Sequence, residues 1–473
     1  METVVDVCGV GLDSEPAKLE YDAAKGGNKR RPFSPVLRHE DTVLPIHKRR
    51  TVSGGVRGLR RNLSILDWAI RRHLDYTTQF HLQSQSGNDA FDELFEQWFH
   101  GVSQPESFDV RGRFGFDEYL RTLEACAVID GDCGSMKLAS GHVQAIESDL
   151  IKNPADGVYR GRWINGVRVS NSGRHLAYAI HNRGAGGNGY EFNRIVTNSR
   201  LFLHGYYSRF DQIRGISPLV SAVNDFQDIY EGKELAFAKM KVNQLFALAF
   251  YRDADESAGD LSSQGDDEEP SGYDVNFGAG PALLDMEPGD RAEFLESDSP
   301  GVNTQEFLQL VIQIALKALD IPFSFFNESF TNFFGSKSAW LHYERSCVNK
   351  RARNLRWAYD WMLWRFRLAL IRGEITAPAS IIREAYQGRK LWFEFVPVGM
   401  PWWDPSKEIK ADIMAIQAGL NSPQRVCRQH GIDFYEIQKQ RKKAFEYSEK
   451  LGVPIVLEGN SPDVTSDDPE GRE

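Results

Sequence analysis

The chain has 473 residues, of which 41% are hydrophobic and 26% are charged, as in a folded chain with roughly two to four domains. Its formal net charge is −10 and its pI is near 5.7, which disfavours a strongly basic nucleic-acid binder. The five cysteines are scattered and form no CxxC pair, which argues against a disulfide framework or a zinc site and for a reducing compartment.

Residues 1–55 are predicted to form a basic N-terminal arm. The clusters KRR at 29–31 and HKRR at 47–50 alternate with Gly and Pro, and no helical or strand period persists. Two interpretations stay open. The arm is an extension that docks on its own or a neighbouring subunit, or it is a basic strap on nucleic acid or another acidic surface. The N-terminus does not resemble a signal peptide, and no apolar run is long enough to span a membrane.

The next part of the chain mixes helical and strand patterns. Amphipathic spacing predicts helices over 62–80, 88–102 and 114–130, the first capped by Asn62 or Ser64. Alternation with a period near two, broken by Gly turns, predicts β-hairpins in 134–148, 157–170 and 174–182. We interpret Asp130 and Asp132 in DGDCG as part of a turn.

Longer helices dominate the second half. One is predicted from Pro218 to about Tyr251 and another from Asn303 to Leu319, separated by an acidic insert rich in Gly, Pro and Ser. A third, from Ser338 to Arg372, would be about 50 Å long. The strand KLWFEFVPVG, a helical region capped by Asp404 and a polar acidic tail complete the chain.

Two features of these helices admit alternatives. The helix over 303–319 is apolar on more than one face, which fits packing between subunits of a ring and equally the core of a monomer. The N-terminal half of the longest helix is crowded with cations, which form either a solvated basic face or contacts with acidic neighbouring subunits. These cations are Arg345, Lys350, Arg351, Arg353 and Arg356.

Motifs that carry catalysis are missing from the sequence. It contains no GxxxxGK[ST], HExxH or GxSxG, and no GxGxxG between a strand and a helix. His175 and His181 lie in a predicted strand and are interpreted as structural. We therefore expect no enzymatic activity, no catalytic residues, no metal site and no cofactor.

A set of motifs in a fixed order resembles the portal proteins of tailed bacteriophages, most closely the lambda-like portal family. These motifs include GFDEYLRTLEACAVIDGDC at 115–133, DQIRGISPL at 211–219, EPGDRAEFLESDSP at 287–300, LDIPFSFF at 319–326 and DPSKEIKADIMAIQAGLNS at 404–422. The chain departs from the family at one loop, where FTNFFGSKSA replaces a Ser-rich segment.

The resemblance implies an α+β portal fold, with an α/β wing, a long helical stem, a loop- and strand-rich clip and an α-helical crown, assembled as a ring around a central channel. The implied divisions are the basic arm 1–55, wing 56–215, stem helix 216–243, clip 244–302, second stem helix 303–320, tunnel loop 321–337, long wing helix and strand 338–403, crown 404–452 and acidic tail 453–473.

The resemblance also implies a function and partners. A homo-oligomeric ring, usually a homododecamer, would sit at one capsid vertex of the virion as the head-tail connector through which the genome is packaged and ejected. It would be assembled in the host bacterial cytoplasm. Its partners would be double-stranded DNA, the terminase, a tail adaptor and the major capsid protein, with no membrane. A twelve-fold ring would carry roughly −120 in formal charge, which would let DNA slide rather than bind tightly.

Candidate residues follow from placing this chain on that architecture. The polar loop tip and its neighbour are expected to face DNA: Asn327, Glu328, Ser329, Thr331, Asn332 and Lys337. The aromatic residues are expected to anchor a hinge that begins at Asp320–Pro322 and ends at Gly335: Phe323, Phe325, Phe326, Phe330, Phe333 and Phe334. The stem candidates are Lys233, Lys239, Phe307, Val311 and Ile314, and the clip candidates for partner docking are Asp253, Asp255, Glu256, Asp266, Asp267, Glu268 and Glu269.

Two other functions stay open. A phage-encoded, metal-dependent DNA-processing enzyme such as a nuclease would need a carboxylate cluster for Mg²⁺, whereas the acidic residues here concentrate in breaker-rich loops. A ring-forming scaffold without a DNA lumen is the second alternative.

Overall fold

The structure is a computed structural model that describes residues 38–155, 161–184, 189–245, 248–252, 290–294, 302–327, 332–388, 391–399 and 404–453. The described chain combines helices with small antiparallel sheets, so the predicted α+β class is confirmed. The helices are α1 (Glu40–Val43), α2 (Ile46–Asn62), α3 (Ser64–Thr77), α4 (Asp89–Val102), α5 (Pro105–Phe108), α6 (Phe116–Asp130), α7 (Val223–Leu245), α8 (Val302–Leu316), α9 (Phe333–Arg372), α10 (Ala379–Gln387), α11 (Pro405–Gln417), α12 (Pro423–Gln429) and α13 (Phe434–Leu451).

The strands are β1 (Phe80–Ser84), β2 (Asp132–Lys137), β3 (Val143–Glu147), β4 (Arg162–Ile164), β5 (Val167–Val169), β6 (His175–Arg183), β7 (Tyr190–Thr197), β8 (Leu201–Gly205), β9 (Leu248–Arg252), β10 (Asp290–Phe294) and β11 (Phe393–Pro397). They pair as β1–β11, β9–β10, β3–β2–β8 and β4–β5–β6–β7. The predicted hairpins β2–β3 and β4–β5 are confirmed. The third is wrong, because 175–183 is a single strand between β5 and β7.

Helix α2 corrects the prediction of an unstructured arm up to residue 55. Val52, Val56, Leu59 and Leu63 recur every three or four residues and pack in the same apolar core as α3 and α6. This stripe crosses the assumed boundary at residue 55 and lies among many arginines, so the sequence pattern hid it. The predicted caps of α3 are also wrong: Leu63 is the N-cap residue, and its N–H bonds the carbonyl of Leu59.

Helix α6 lies at the centre of the fold because it contributes to two apolar cores. Its first half packs with α4, β1, β11 and the second half of α9, in a core rich in aromatic rings. Its second half packs with α2, α3, α8 and the first half of α9. A third core lies between the strands of β2–β8. The position of α6 therefore determines how the helical and sheet regions meet.

Helix α9 is longer than predicted. Its 40 residues span about 60 Å. It begins at Phe333 because the Asn332 side chain accepts a hydrogen bond from the Gly335 N–H at 2.7 Å. Gly335 therefore lies in the first turn of the helix, and the prediction that it ends the loop is wrong. Gly373, with φ +72°, ends the helix in the left-handed conformation.

Candidate functional site

The segment between α8 and α9 changes direction at Asp320, whose backbone is left-handed with φ +60°. Lys350 of α9 holds this turn by donating to the Leu319 carbonyl at 2.7 Å and pairing with the Asp320 carboxylate at 2.9 Å. Burial alone would raise the pKa of Asp320, but the hydrogen bond and charge of Lys350 lower it below its usual value. Lys350 thus fixes the start of the hinge to the long helix.

The phenylalanines of this segment divide into two groups. Phe323 and Phe325 pack against the core formed by α3, α8 and α9, and Phe325 lies 6.0 Å from the Tyr76 ring and 5.4 Å from the Tyr343 ring. Phe326 is more exposed and meets Trp68 edge-on at 6.2 Å. Phe334 is 78% exposed. Phe323 and Phe325 therefore hold the beginning of the segment against the protein's own core.

The polar tip is only partly within the described residues. Asn327 donates its N–H to the Phe323 carbonyl, and Asn332 caps α9 as described above. The remaining tip candidates and Phe330 lie outside the described residues, as does the side chain of Phe333. Lys337 lies on α9 rather than in a loop and pairs with Glu408 of α11, so the predicted loop boundary at 337 is wrong.

Helices α7 and α8 pack against each other and display unpartnered apolar side chains in the described chain. On α8, Phe307, Leu310 and Ile314 are 64, 52 and 54% exposed, and their spacing of three and four residues places them on one face. Val311 instead packs toward the core. On α7, Leu235 and Phe237 are exposed, as are the stem candidates Lys233 and Lys239. Exposed apolar side chains grouped in this way are typical of a protein–protein interface.

The acidic clip candidates, from Asp253 to Glu269, lie outside the described residues. What the structure describes of this region is the antiparallel pair β9–β10, which joins the end of α7 to the start of α8.

The cations of α9 bind acidic residues of their own chain, which neither sequence interpretation foresaw. Arg351 pairs with Glu344 at 2.8 Å and donates to the Tyr76 carbonyl. Arg353 reaches Glu124 of α6. Arg345 and Arg356 remain exposed. Most of this basic cluster therefore joins α9 to α3, α6 and the hinge.

A fully buried carboxylate, Glu124, forms the centre of a cluster that sequence reasoning missed. Its oxygens lie 2.9 Å from His73 Nε2 and 2.8 Å from His204 Nε2, and it accepts a hydrogen bond from Tyr206 at 2.6 Å. The Arg353 guanidinium also binds it and lies 3.5 Å from the Tyr206 ring centre. We call this group the Glu124 cluster; it links α3, α6, β8 and α9.

Burial sets the protonation of the Glu124 cluster. It lowers the pKa of both histidines, although their hydrogen bonds to Glu124 oppose this, so both imidazoles are neutral and donate through Nε2. Burial alone would raise the pKa of Glu124. The hydrogen bonds from His204 and His73 and the charge of Arg353 outweigh burial, so this pKa lies well below its ordinary value. The cluster thus contains an ionised carboxylate balanced by one arginine.

A second buried group joins β2 to the segment before α7. The Arg214 guanidinium makes two hydrogen bonds with Asp132, at 2.6 and 2.7 Å, and neither side chain is accessible. Asp132 also accepts from Ser148 and from the Gly215 N–H, and Arg49 of α2 lies at 3.4 Å. Gly131, with φ +95°, lets the chain turn here: a Cβ would lie 2.5 Å from the Gly215 carbonyl oxygen.

The sequence offered only a faint signal for these two groups. DGDCG was interpreted as a turn, which Gly131 does form, but Asp132 is a buried ion-pair partner rather than an exposed turn residue. Glu124 and Arg214 each stand among apolar residues, in LEACAV and QIRGI. A charge in such surroundings indicates a buried partner without identifying it.

Two features are absent from the described ranges. No group of three or more His, Cys, Asp or Glu side chains there is placed to hold a metal ion. None of the described helices is both long and apolar enough to cross a membrane.

This chain is similar to proteins of phages and of gene transfer agent particles. Residues 28–349 match the family model described as phage portal protein, lambda family. The portal protein of Escherichia phage N15 is 21% identical over 387 residues, which cover 74% of this chain and 72% of the relative. A chain from the virion of a native gene transfer agent particle has a TM-score of 0.46 and 13% identity, covering 79% of this chain and 92% of that one. A chain from the neck of the native particle, computed with C12 symmetry, has a TM-score of 0.46 and 12% identity, with 85 and 93% covered.

Proposed function

The chain belongs to the lambda family of phage portal proteins, and we propose that copies of it close into a ring around a channel for double-stranded DNA. Its function is that of a phage portal protein. The family resemblance implies a ring of twelve subunits, and this ring occupies one capsid vertex of the virion. The genome passes through it during packaging and ejection.

The observation that best supports assembly into a ring is the exposed apolar face of α8. Phe307, Leu310 and Ile314 lie on that face, while other side chains of the same helix pack on the protein's own core. A helix that is apolar on several sides is most stable when each side is buried, because burying apolar surface stabilises by about 25 cal/mol per Å². A neighbouring copy that covers this face supplies the burial that one chain does not.

Charge supports passage of DNA without tight binding. Each phosphate neutralised by Lys or Arg adds affinity through counterion release, so a channel with few cations lets a duplex slide. The net charge of −10 per chain provides a repulsive background. In this arrangement Lys233 and Lys239 of α7 and the polar tip of the loop guide the duplex. The wing runs from α2 to residue 215, the stem is α7 and α8, and the crown is 404–452.

The partners follow from the same proposal. The acidic clip, residues 244–302, docks the terminase during packaging and the tail adaptor afterwards, through complementary basic surfaces. The wing faces the major capsid protein. Portal proteins are structural components, so no catalytic step is part of the proposal.

Particle imaging of the purified full-length chain tests this function. We expect closed rings whose central hole admits a B-form duplex. Rings with a hole too narrow for a duplex would refute the conduit and favour a scaffold. Nicking of plasmid DNA that depends on Mg²⁺ and persists through purification would instead revive the nuclease alternative.

A further inference from the structure

A groove of about 570 Å³ separates the β1–β11 sheet and α4 from α13. Its floor is apolar on both sides, with Phe80, Leu82 and Phe99 facing Ile432 and Ile437. The portal function described above does not use this groove.

Four carboxylates line the two walls of the groove: Glu96 of α4, Asp117 of α6, and Asp433 and Glu436 at the start of α13. Among the described residues their hydrogen bonds are local and none is with a cation. Glu96 accepts from the Ser84 N–H, Asp433 caps α13, and Glu436 accepts from Gln440. Burial raises the pKa of Glu96, and the like charge of Asp433 adds to this, with Lys439 opposing it. The groove thus concentrates negative charge above an apolar floor.

The same chain contains a segment with the opposite character. Residues 25–38, KGGNKRRPFSPVLR, include five cations and no acidic residue. They also include Phe33, Val36 and Leu37, which suit an apolar floor. Nucleic acid would be repelled by the groove, whereas a basic peptide with an apolar anchor matches both its charge and its floor.

We propose that residues 25–38 of a second copy of this chain dock in the groove, so that the basic arm links neighbouring subunits. Phe33 lies on the apolar floor between β1 and α13. The cations at 29–31 face the four carboxylates. This inference rests on the proposed ring, which places copies side by side.

The reach of the arm favours a neighbour over the chain's own groove. Asp117 and Asp130 lie at opposite ends of α6, about 20 Å apart. Arg38 lies near the Asp130 end, because Asp41 accepts the N–H groups of Ile213 and Arg214 beside the end of α6. Seven residues span at most about 25 Å when fully extended. Arg31 would therefore reach its own groove only if the whole stretch up to Arg38 were close to full extension, whereas the groove of a neighbour sets no such condition.

Photo-crosslinking in the full-length assembly tests the docking. With Phe33→p-benzoylphenylalanine, we expect crosslinks to peptides that contain residues 80–83 or 431–440. Mixing isotope-labelled and unlabelled chains shows whether each crosslink joins two copies. The same substitution at Phe210, which is fully exposed, is the control and should give no crosslink to these peptides. Crosslinks within one chain, or to surfaces elsewhere, overturn the proposal.

Charge reversal gives an independent test with a rescue. Arg30→Glu with Arg31→Glu should speed subunit exchange by about ten-fold or more, since close interfacial charge pairs commonly contribute at least that factor. Adding Asp117→Lys and Glu436→Lys, both on exposed positions, should restore slow exchange. An unchanged rate of subunit exchange in the first variant contradicts the docking. So does fast exchange that persists in the second variant, provided that its circular dichroism is native. Absence of any ring in the wild type would refute the proposed function itself, whereas intact rings with crosslinks elsewhere refute only this inference.

Discussion

Replacing Arg214 with methionine tests how much the buried Arg214 guanidinium stabilises the fold, chiefly through its pair with Asp132. Methionine retains much of the volume but none of the charge. The substitution removes two hydrogen bonds to Asp132 and the donors to the carbonyls of Ser148, Ile151 and Asn165. Asp132 is then an ionised carboxylate with no accessible surface and a weakened set of partners.

The expected cost follows from what remains around Asp132. Breaking a buried ion pair from one side costs about 3–5 kcal/mol. Arg49, Ser148 and the Gly215 N–H still face the carboxylate, which places the loss near the lower limit, at about 3 kcal/mol. At 1.4 kcal/mol for each factor of ten, local opening of β2 and β8 should become about a hundred-fold more frequent.

Hydrogen exchange of the β2 and β8 amides measures this change directly, without assuming two-state unfolding of a multidomain chain. Arg183→Met is the matched control, since Arg183 pairs with Glu147 and Asp149 at an exposed site and should change local stability by less than about 1 kcal/mol. If Arg214→Met alters exchange no more than Arg183→Met does, the pair does not stabilise the fold as argued.

The pH dependence of the same variant has a defined sign. In the wild type Arg214 lowers the pKa of Asp132 against the effect of burial, so this stabilisation is present above the ordinary carboxyl pKa and is lost only as pH falls through the lower folded value. Without Arg214, burial raises the pKa. The deficit of the variant should therefore be largest at neutral pH and shrink on acidification.

Three further predictions concern the helices and the hinge. Because burial lowers the pKa of both histidines in the Glu124 cluster, unfolded chains bind more protons below about pH 6.5. The α3 and β8 amides should therefore be less protected at pH 5.5 than at pH 7.5, once each observed exchange rate is divided by the intrinsic rate at that pH. Equal protection factors would contradict neutral histidines. Leu310→Asp should dissociate rings in native mass measurements, whereas Leu94→Asp, on an exposed site of α4, should not. Phe325→Ala should cost about 2–3 kcal/mol at the hinge and loosen assembly, whereas Asn327→Ala should spare assembly and alter DNA packaging; identical effects would refute the division between anchor and tip.

Local sequence rules predicted the elements whose signals lie within a few residues. The start of α4 follows from Asn88, whose side chain accepts the Phe91 N–H at 3.2 Å, and Asp404 caps α11 as expected. Both are helix starts in which a short polar side chain precedes an apolar period. The family resemblance added the identity, which no local rule contains.

The missed features depend on residues far apart in the chain. Glu124 and Arg353 are separated by 229 positions, and Asp132 and Arg214 by 82. Periodicity reports which face of a helix is apolar, but it does not report which distant charge meets a buried one. The early start of α9 has a different cause. The Gly335 that suggested a loop end is accommodated in the first turn, where Asn332 satisfies its N–H.

The Glu124 cluster positions the hinge through the length of α9. Arg353 is about 30 Å from the start of that helix at Phe333, by the rise of an α-helix. A tilt of about 5° at the cluster would move the start of the helix by about 2.5 Å. A carboxylate that binds partners from α3, β8 and α9 at once opposes such a tilt, because a rotation of α9 changes the geometry of buried charge-assisted hydrogen bonds. An apolar substitute of equal volume could preserve packing but would let the helix settle at several angles, so we infer that the buried charges hold the hinge at one position relative to α3 and β8.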